Sequence, residues 1–211
     1  MIDILGTLDE KIENNENIIA NIEKLCKENY AKIVAKSTET IKLGDIIAIY
    51  DNQRIPLSSR EREDKKGNYP YYGATGILDY VDNFIFSGEY VLIAEDGTVI
   101  DNFGYPIVQL ITGEFWVNNH AHILQAKNGY SNYSLYIALK STNVSKAVTG
   151  AVQLKINQAN LCKIELPAID SVSLEKFNNE IQPFFEKLLD LRQENLKLNE
   201  LKQLYLKKFF G

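Results

Sequence analysis

Residues 5 to 33 place seam residues three and four apart without a slip: Leu5, Leu8, Ile12, Asn15, Ile19, Ile22, Cys26, Asn29 and Ile33. This is a heptad seam, and such a seam is buried only by a second long helix. A second seam runs through residues 172 to 209, as Leu174, Phe177, Ile181, Phe184, Leu188, Leu191, Asn195 and Leu198. Leu201, Leu204 and Phe209 continue it, slightly rotated. Ser171 or Ser173 supplies an N-cap, with Glu175 in the first turn. Pro183 lies inside the pattern, so a kink or a break is expected there. Asn15 and Asn29 in the first seam penalise wrong registers, because a slipped Asn meets an apolar partner.

At about 1.5 Å per residue each helix is roughly 45–55 Å long, so the two are expected to project as a stalk. They can pair as an antiparallel hairpin within one chain, between chains, or both at once in a four-helix arrangement. A lone hairpin would leave a second apolar stripe, Ile18, Leu25, Leu189 and Leu196, facing water. That stripe implies a homodimer or an assembly built from dimers.

Between the helices the apolar spacing shortens toward alternation. The expected strands are Glu89–Ala94, Pro106–Ile111, Glu114–Gln125, Val152–Ile156 and Lys163–Leu166. Thr112-Gly113 reads as a tight hairpin turn and Asp96-Gly97 as another turn. Tyr133–Ser141 reads as a short helix capped by Ser131 or Asn132. Pro56 to Tyr72 reads mostly as loop, with Ser58-x-x-Glu61 as a capping box for one helical turn. The expected class is α+β. A mixed α/β domain at 37–167 lies between helical regions at 1–36 and 168–211.

The chain has 211 residues and 45% hydrophobic content, enough for a real core. Cys26 and Cys162 lie far apart and read as reduced thiols of a cytoplasmic protein. The charged N-terminus is no signal peptide, and no apolar run approaches about 18 residues, so no membrane span is expected. The net charge is −5, yet Phe115 to Ile164 contains no Asp or Glu and carries Lys127, Lys140, Lys146, Lys155 and Lys163. Such segregation makes a positive face on an acidic protein, the feature a polyanion recognises.

Five strings occur in order: YPYYGATG (69–76), EYVLIAEDGT (89–98), FWVNNHAHIL (115–124), TGAVQLKIN (149–157) and IELP (164–167). Together they resemble the target-recognition domain of specificity subunits from type I restriction–modification systems. The flanks LGTLDEKIENNENI (5–18) and FNNEIQPFFEKLLDLRQENLKLNELKQLYLKKF (177–209) resemble the helical conserved regions of the same family. A full specificity subunit has two recognition domains, and this chain holds one. The resemblance implies a half-subunit that pairs with a second copy to read a bipartite site in double-stranded DNA, palindromic for identical halves. It also implies partners: a methyltransferase (modification) subunit that flips and methylates adenine, and a restriction/translocase subunit.

On this reading two segments carry the DNA contacts. One holds Arg54, Arg60 and Arg62, three of the four arginines, with Gln53, Lys65, Lys66 and Asn68. Arg pairs with guanine edges or phosphate, and Asn or Gln with adenine. Glu61, Glu63 and Asp64 are there to neutralise it as surface ion pairs in the opposing view. The other holds Lys146, Thr149, Gly150, Gln153 and Lys155, where backbone N–H groups can meet phosphate. Tyr72 and Asn118 complete the set, while Tyr71 is expected in the core. His120 and His122 alternate on one strand face without further ligands at metal spacing. No cofactor loop, P-loop or catalytic tetrapeptide is present, so no catalytic, cofactor or metal residue is assigned. The competing reading is a coiled-coil oligomer presenting a β-rich domain to a non-DNA ligand; salt-dependent DNA binding separates the two.

Overall fold

The computed structural model describes residues 2–210. In chain order its elements are α1 (Ile2–Val34), β1 (Thr40–Lys42), α2 (Leu43–Ile46), β2 (Ile47–Ile49), α3 (Ser59–Asp64), β3 (Lys66–Tyr72), β4 (Ile77–Val81), β5 (Phe86–Ala94), β6 (Val108–Val117), β7 (Ala121–Ala126), α4 (Asn132–Lys140), α5 (Gln158–Cys162), β8 (Glu165–Pro167) and α6 (Ser171–Phe210). Six strands form one sheet in the order β2-β7-β5-β6-β3-β4. Only the β3–β6 pair is parallel.

The two heptad segments are the two long helices, and they pair antiparallel within the chain. Asn15 Nδ2 donates to Asn195 Oδ1 and to Glu194 Oε2, both at 2.8 Å. Lys202 meets Asp9 at one end, and the Tyr30 and Phe177 rings meet at the other. Asn15 is fully buried, as the register argument requires. Ile22, Cys26, Tyr30, Phe177, Ile181, Leu188 and Leu191 are buried because α4 covers them as well. Toward Leu5 and Leu198 the seam is half-buried.

Two details of α6 depart from the sequence reading. Of the kink or break expected at Pro183 the break is absent: the helix continues through this residue, which lies exposed on the solvent side. There the carbonyl that loses its N–H partner meets water instead. Phe185, not Phe184, is buried, stacked on Tyr133 (4.8 Å, 10°) and edge-on to Tyr136 (5.8 Å). A strict heptad step suits one partner helix. Two partners, α1 and α4, select the 3.6-residue period of a straight helix.

Strands β1 and β8 pair from Thr40↔Pro167 to Lys42↔Glu165 and bring the entry and exit of the central domain together. Helix α4 starts on a capping box made by Ser131 and Ser134, and α3 on the expected box of Ser58 and Glu61. The expected Thr112-Gly113 turn is absent; β6 runs through it, and the reversal lies at Asn118–His120. Gly113 does leave the ordinary backbone region (φ +91°), and so does its cross-strand partner Gly88 (φ +121°). These paired glycines fold the β5–β6 ribbon back on itself. Phe115 pairs with Phe86, yet Ala121 pairs with Ala94 at the far end of β5. In a flat ribbon those ends of β5 lie roughly 26 Å apart, more than the at most about 21 Å that the chain from 115 to 121 can span. The fold-back encloses a second core of Phe86, Leu92, Ile111, Phe115, Val117 and Ile123.

Three further readings change. The expected loop at 66–72 is strand β3, paired with both β4 and β6. The expected strand Val152–Ile156 is a bend carrying two isolated bridges, both at Lys155, to Asp96 and to Thr149. Of the second apolar stripe, Ile18, Leu25 and Leu196 are exposed, while Leu189 packs against the main core.

No atom lies within 4 Å of a Cβ added at Gly113, so a side chain there would cost only backbone strain. Gly113→Ala is expected to lower stability by about 1–2 kcal/mol, measured as a shifted urea midpoint with an unchanged slope.

Candidate nucleic-acid interface

The Asp51–Gln53 3-10 turn follows β2 and delivers Asp51 and Arg54 to the β7 edge. Asp51 accepts from the Ile123 N–H at 2.9 Å and meets His122 Nδ1 at 2.5 Å. The Arg54 guanidinium donates to Glu95 at 2.7 Å and to the Ala121 carbonyl at 2.8 Å. Glu95, just beyond β5, also takes Lys155 Nζ at 3.1 Å. One carboxylate therefore bridges the two segments singled out in the sequence, although about 100 residues separate them.

The electrostatics are those of a satisfied network. Burial works against charge on His122, but its bonds to Asp51 and the Ile156 carbonyl, with the fields of Asp51 and Glu95, raise its pKa. Burial likewise opposes the Asp51 and Glu95 charges, yet His122 and Arg54 hold both carboxyls below their ordinary range. Asp51, Glu95 and His122 offer ligand atoms within 4.8 Å of one another, the donor types a metal takes. The donors are already taken, however. Arg54 and Lys155 put two fixed cations on the carboxylates, and both ring nitrogens of His122 face oxygen acceptors. This chemistry does not suit a divalent ion.

The remaining basic residues of the first segment split. Arg62 pairs with Asp79 at 3.3 Å, donates to the Leu57 carbonyl and lies over the Tyr71 ring. Lys66 pairs with Asp79 at 2.8 Å and with Glu63. Arg60, Lys65, Asn68 and Gln53 are exposed, and Arg60 makes no hydrogen bond or ion pair within the chain among the described residues. Tyr72 is half-buried against Phe115, and Tyr71 is buried with its hydroxyl on Leu57. Asn118 is buried, and its side chain accepts from the His120 N–H to close the β6–β7 turn.

In the second segment Lys146, Thr149, Gly150, Gln153 and Lys155 are exposed. Thr149 and Lys155 exchange backbone hydrogen bonds at 2.8 Å, making a small hairpin whose tip is Val152. His120, in the turn and not on a strand, meets Asp96 at 2.5 Å. The structure thus brings Arg54 and Lys155 together and leaves Arg62 and Lys66 with Asp79 on β4. Sequence reasoning missed Asp51, Glu95, Asp79 and the role of His122. His122 between Ala121 and Ile123 was the available signal, since a ring among apolar strand residues is buried only when its nitrogens are satisfied.

Removing Arg54 leaves two carboxylates facing each other with less counter-charge. Arg54→Ala is expected to destabilise the fold by about 2–4 kcal/mol, whereas Arg60→Ala stays within about 0.5 kcal/mol, both read from chemical denaturation.

The family described as Type I restriction modification DNA specificity domain matches residues 36–203. A Haemophilus influenzae protein named as a type I restriction enzyme specificity subunit is 38% identical over 126 residues, 59% of this chain and 31% of that protein. The Escherichia coli EcoprrI specificity subunit is 26% identical over 144 residues, 64% of this chain and 35% of that protein. This chain thus spans about a third of the curated relatives it matches. The type I restriction–modification S subunit of M. genitalium superposes with a TM-score of 0.69 at 21% identity, over 99% of this chain and 59% of that one. The Thermoanaerobacter tengcongensis HsdS subunit does so with a TM-score of 0.51 at 12% identity, over 98% and 56%. Among the described residues no helix is long and apolar enough to cross a membrane. With most of its length matched by the family and its whole fold shared with S subunits, the chain belongs to the type I restriction–modification DNA specificity family.

Proposed function

We propose that the chain reads one half of a bipartite DNA target for a type I restriction–modification complex. It performs no chemistry itself; it places a methyltransferase subunit, and through it a restriction/translocase subunit, at a chosen sequence. The observation that carries this reading is the specificity-domain match across residues 36–203, on a chain whose two basic segments meet at Glu95. A protein with this task works in the cytoplasm, alongside the DNA.

The DNA-facing set is narrower than the sequence suggested. We assign it to Gln53, Arg60, Lys65, Asn68, Lys146, Thr149, Gly150 and Gln153, which are exposed. Arg54, Arg62, Lys66 and Lys155 are engaged with carboxylates, and Tyr72 and Asn118 are packed into the sheet. These six shape the surface that the first eight present.

A second copy supplies the other half-site. Ile18 (36% exposed), Leu25 (40%) and Phe184 (37%) are apolar positions of the helical pair that the central domain leaves uncovered. Packing two such pairs buries them in a two-fold assembly, whose symmetry a palindromic target would share. Leu25→Asp combined with Ile18→Asp is expected to give a folded monomer by light scattering, since neither side chain belongs to the buried core.

Co-expression with the methyltransferase subunit followed by mapping of methylated adenines tests the main reading. A single bipartite motif is expected, and methylation without any sequence preference would refute it. Within that complex, Lys146→Ala should weaken binding to all duplexes alike and reduce the salt slope by about one unit. Arg60→Ala should instead relax the preference at one base pair, by about ten-fold or more.

A further inference from the structure

Two distant segments of the domain meet at one imidazole as well as at Glu95. His122 lies on β7 and is 1% exposed. Its Nε2 stands 2.8 Å from the Ile156 carbonyl, which only accepts, so Nε2 carries a proton. Its Nδ1 faces Asp51 Oδ2 at 2.5 Å and Glu95 Oε2 at 3.6 Å. A neutral ring has one N–H and would turn a lone pair toward one of these buried acceptors.

We propose that His122 is a positioning residue for DNA recognition: donating from both ring nitrogens, it clamps the Thr149–Lys155 hairpin onto the Asp51–Gln53 turn. This rests on the chain being a DNA-specificity subunit. The hairpin is closed by the paired backbone bonds of Thr149 and Lys155. A Cβ at Gly150 (φ +90°) would fall 2.1 Å from the Gln153 carbonyl oxygen, so only glycine allows the turn. What remains to be fixed is its attachment to the sheet. The Gly97 N–H donates to Leu154 at 3.0 Å, the Ile156 N–H donates to Glu95 at 2.8 Å, and Lys155 pairs with Glu95. All three reach the segment that follows β5, where Glu95 also takes Arg54. His122 adds the connection to β7 and, through Asp51, a second one to the arginine segment. Exposed Gln153 and Thr149 thereby hold a set distance from Gln53.

The charged and titratable groups around the ring are Asp51 and Arg54 from the turn, Glu95 after β5 and Lys155 from the hairpin. Cys162 of α5 feels Asp51, and burial pushes its thiol up. Asp51 and Glu95 are held down, so they lose charge only on the acid side. The pKa of His122 is raised, so the clamp is intact below it and is lost as pH rises through it.

The test uses the full chain with its methyltransferase subunit bound, on a duplex carrying the mapped motif and on one with a single base pair changed. Affinities for both are measured by fluorescence anisotropy from neutral to alkaline pH. The ring N–H signals of His122 are followed by nitrogen-15 NMR on the same chain. The preference for the motif is expected to fall about ten-fold as the second ring proton is lost, the size of one charge-assisted hydrogen bond. His122→Phe should show the lowered preference already at neutral pH, with a flat profile, and His122→Gln, which keeps one donor, should lie between. A wild-type preference that stays constant while His122 deprotonates overturns the clamp, as does a folded His122→Phe protein with unchanged preference. If that variant does not fold, the wild-type profile decides alone. If the wild-type complex selects no sequence at all, the DNA-specificity reading falls and the clamp falls with it.

Discussion

Antiparallel pairing of α1 with α6 is the contact on which the other elements depend. Neither helix can bury its seam alone, and the seam of each is completed by the other and by α4. The pair is joined to the recognition domain by a charge cluster. Glu23 of α1 takes the Tyr136 hydroxyl at 2.6 Å, Lys140 at 2.7 Å and Arg192 of α6 at 3.3 Å. Burial opposes the charge on Glu23, yet Lys140 with the other partners holds its carboxyl below the usual range. Arg192 also donates to the Leu110 carbonyl on β6. Four elements, α1, α4, α6 and β6, are thereby joined through the Glu23 carboxylate and Arg192, which sets the angle between the helices and the sheet. Such a partly buried cluster adds little net stability but disfavours any other angle, since a displaced Glu23 would lose its counter-charges in a site largely shielded from water.

The sheet solves a separate problem with the same economy of parts. Folding the β5–β6 ribbon at Gly88 and Gly113 brings the turn after β6 beside the end of β5. Asp96, His120 and the Thr149–Lys155 hairpin then lie at one corner, with Arg54 reaching in from the β7 edge. Without the fold-back, the turn after β6 could not reach the end of β5. The corner exists because two glycines permit the bend, and it persists because the charges gathered there neutralise one another.

How much of this was legible in the sequence follows from the range of each interaction. The helices were readable because a heptad repeats locally and most seam positions report the same partner helix. Ser58 with Glu61, and Ser131 before α4, were readable because a cap is complete within four residues. Phe184 against Phe185 was misassigned because the second partner, α4, comes from another part of the chain. Thr112-Gly113 was misread because a glycine in the left-handed region marks a backbone change without saying whether the chain reverses or bends. At the interface, Arg54 and Lys155 looked like free cations because their partner, Glu95, lies about 40 residues from one and 60 from the other. Charge clusters in sequence report composition, whereas ion pairing is decided by topology.

That distinction changes how an acidic chain with few arginines would hold DNA. Arg54, Arg62 and Arg192 are each bonded to a carboxylate within the protein, and Arg60 is the one left in water. Counterion release scales with the phosphates neutralised, so a surface offering Arg60, Lys65 and Lys146 gains only modest non-specific affinity. Internal pairing also has a positive side for specificity. An arginine tied to a carboxylate cannot swing to the nearest phosphate, and on the proposed reading it shapes a surface on which a few exposed groups are left to face the bases. On the proposed reading, affinity then comes from joining two weak half-sites and a methyltransferase on one rigid frame, where the second contact is intramolecular. On the same reading the division is physically consistent: discrimination would rest on a few exposed side chains held by internally paired neighbours, and binding strength on the proposed assembly.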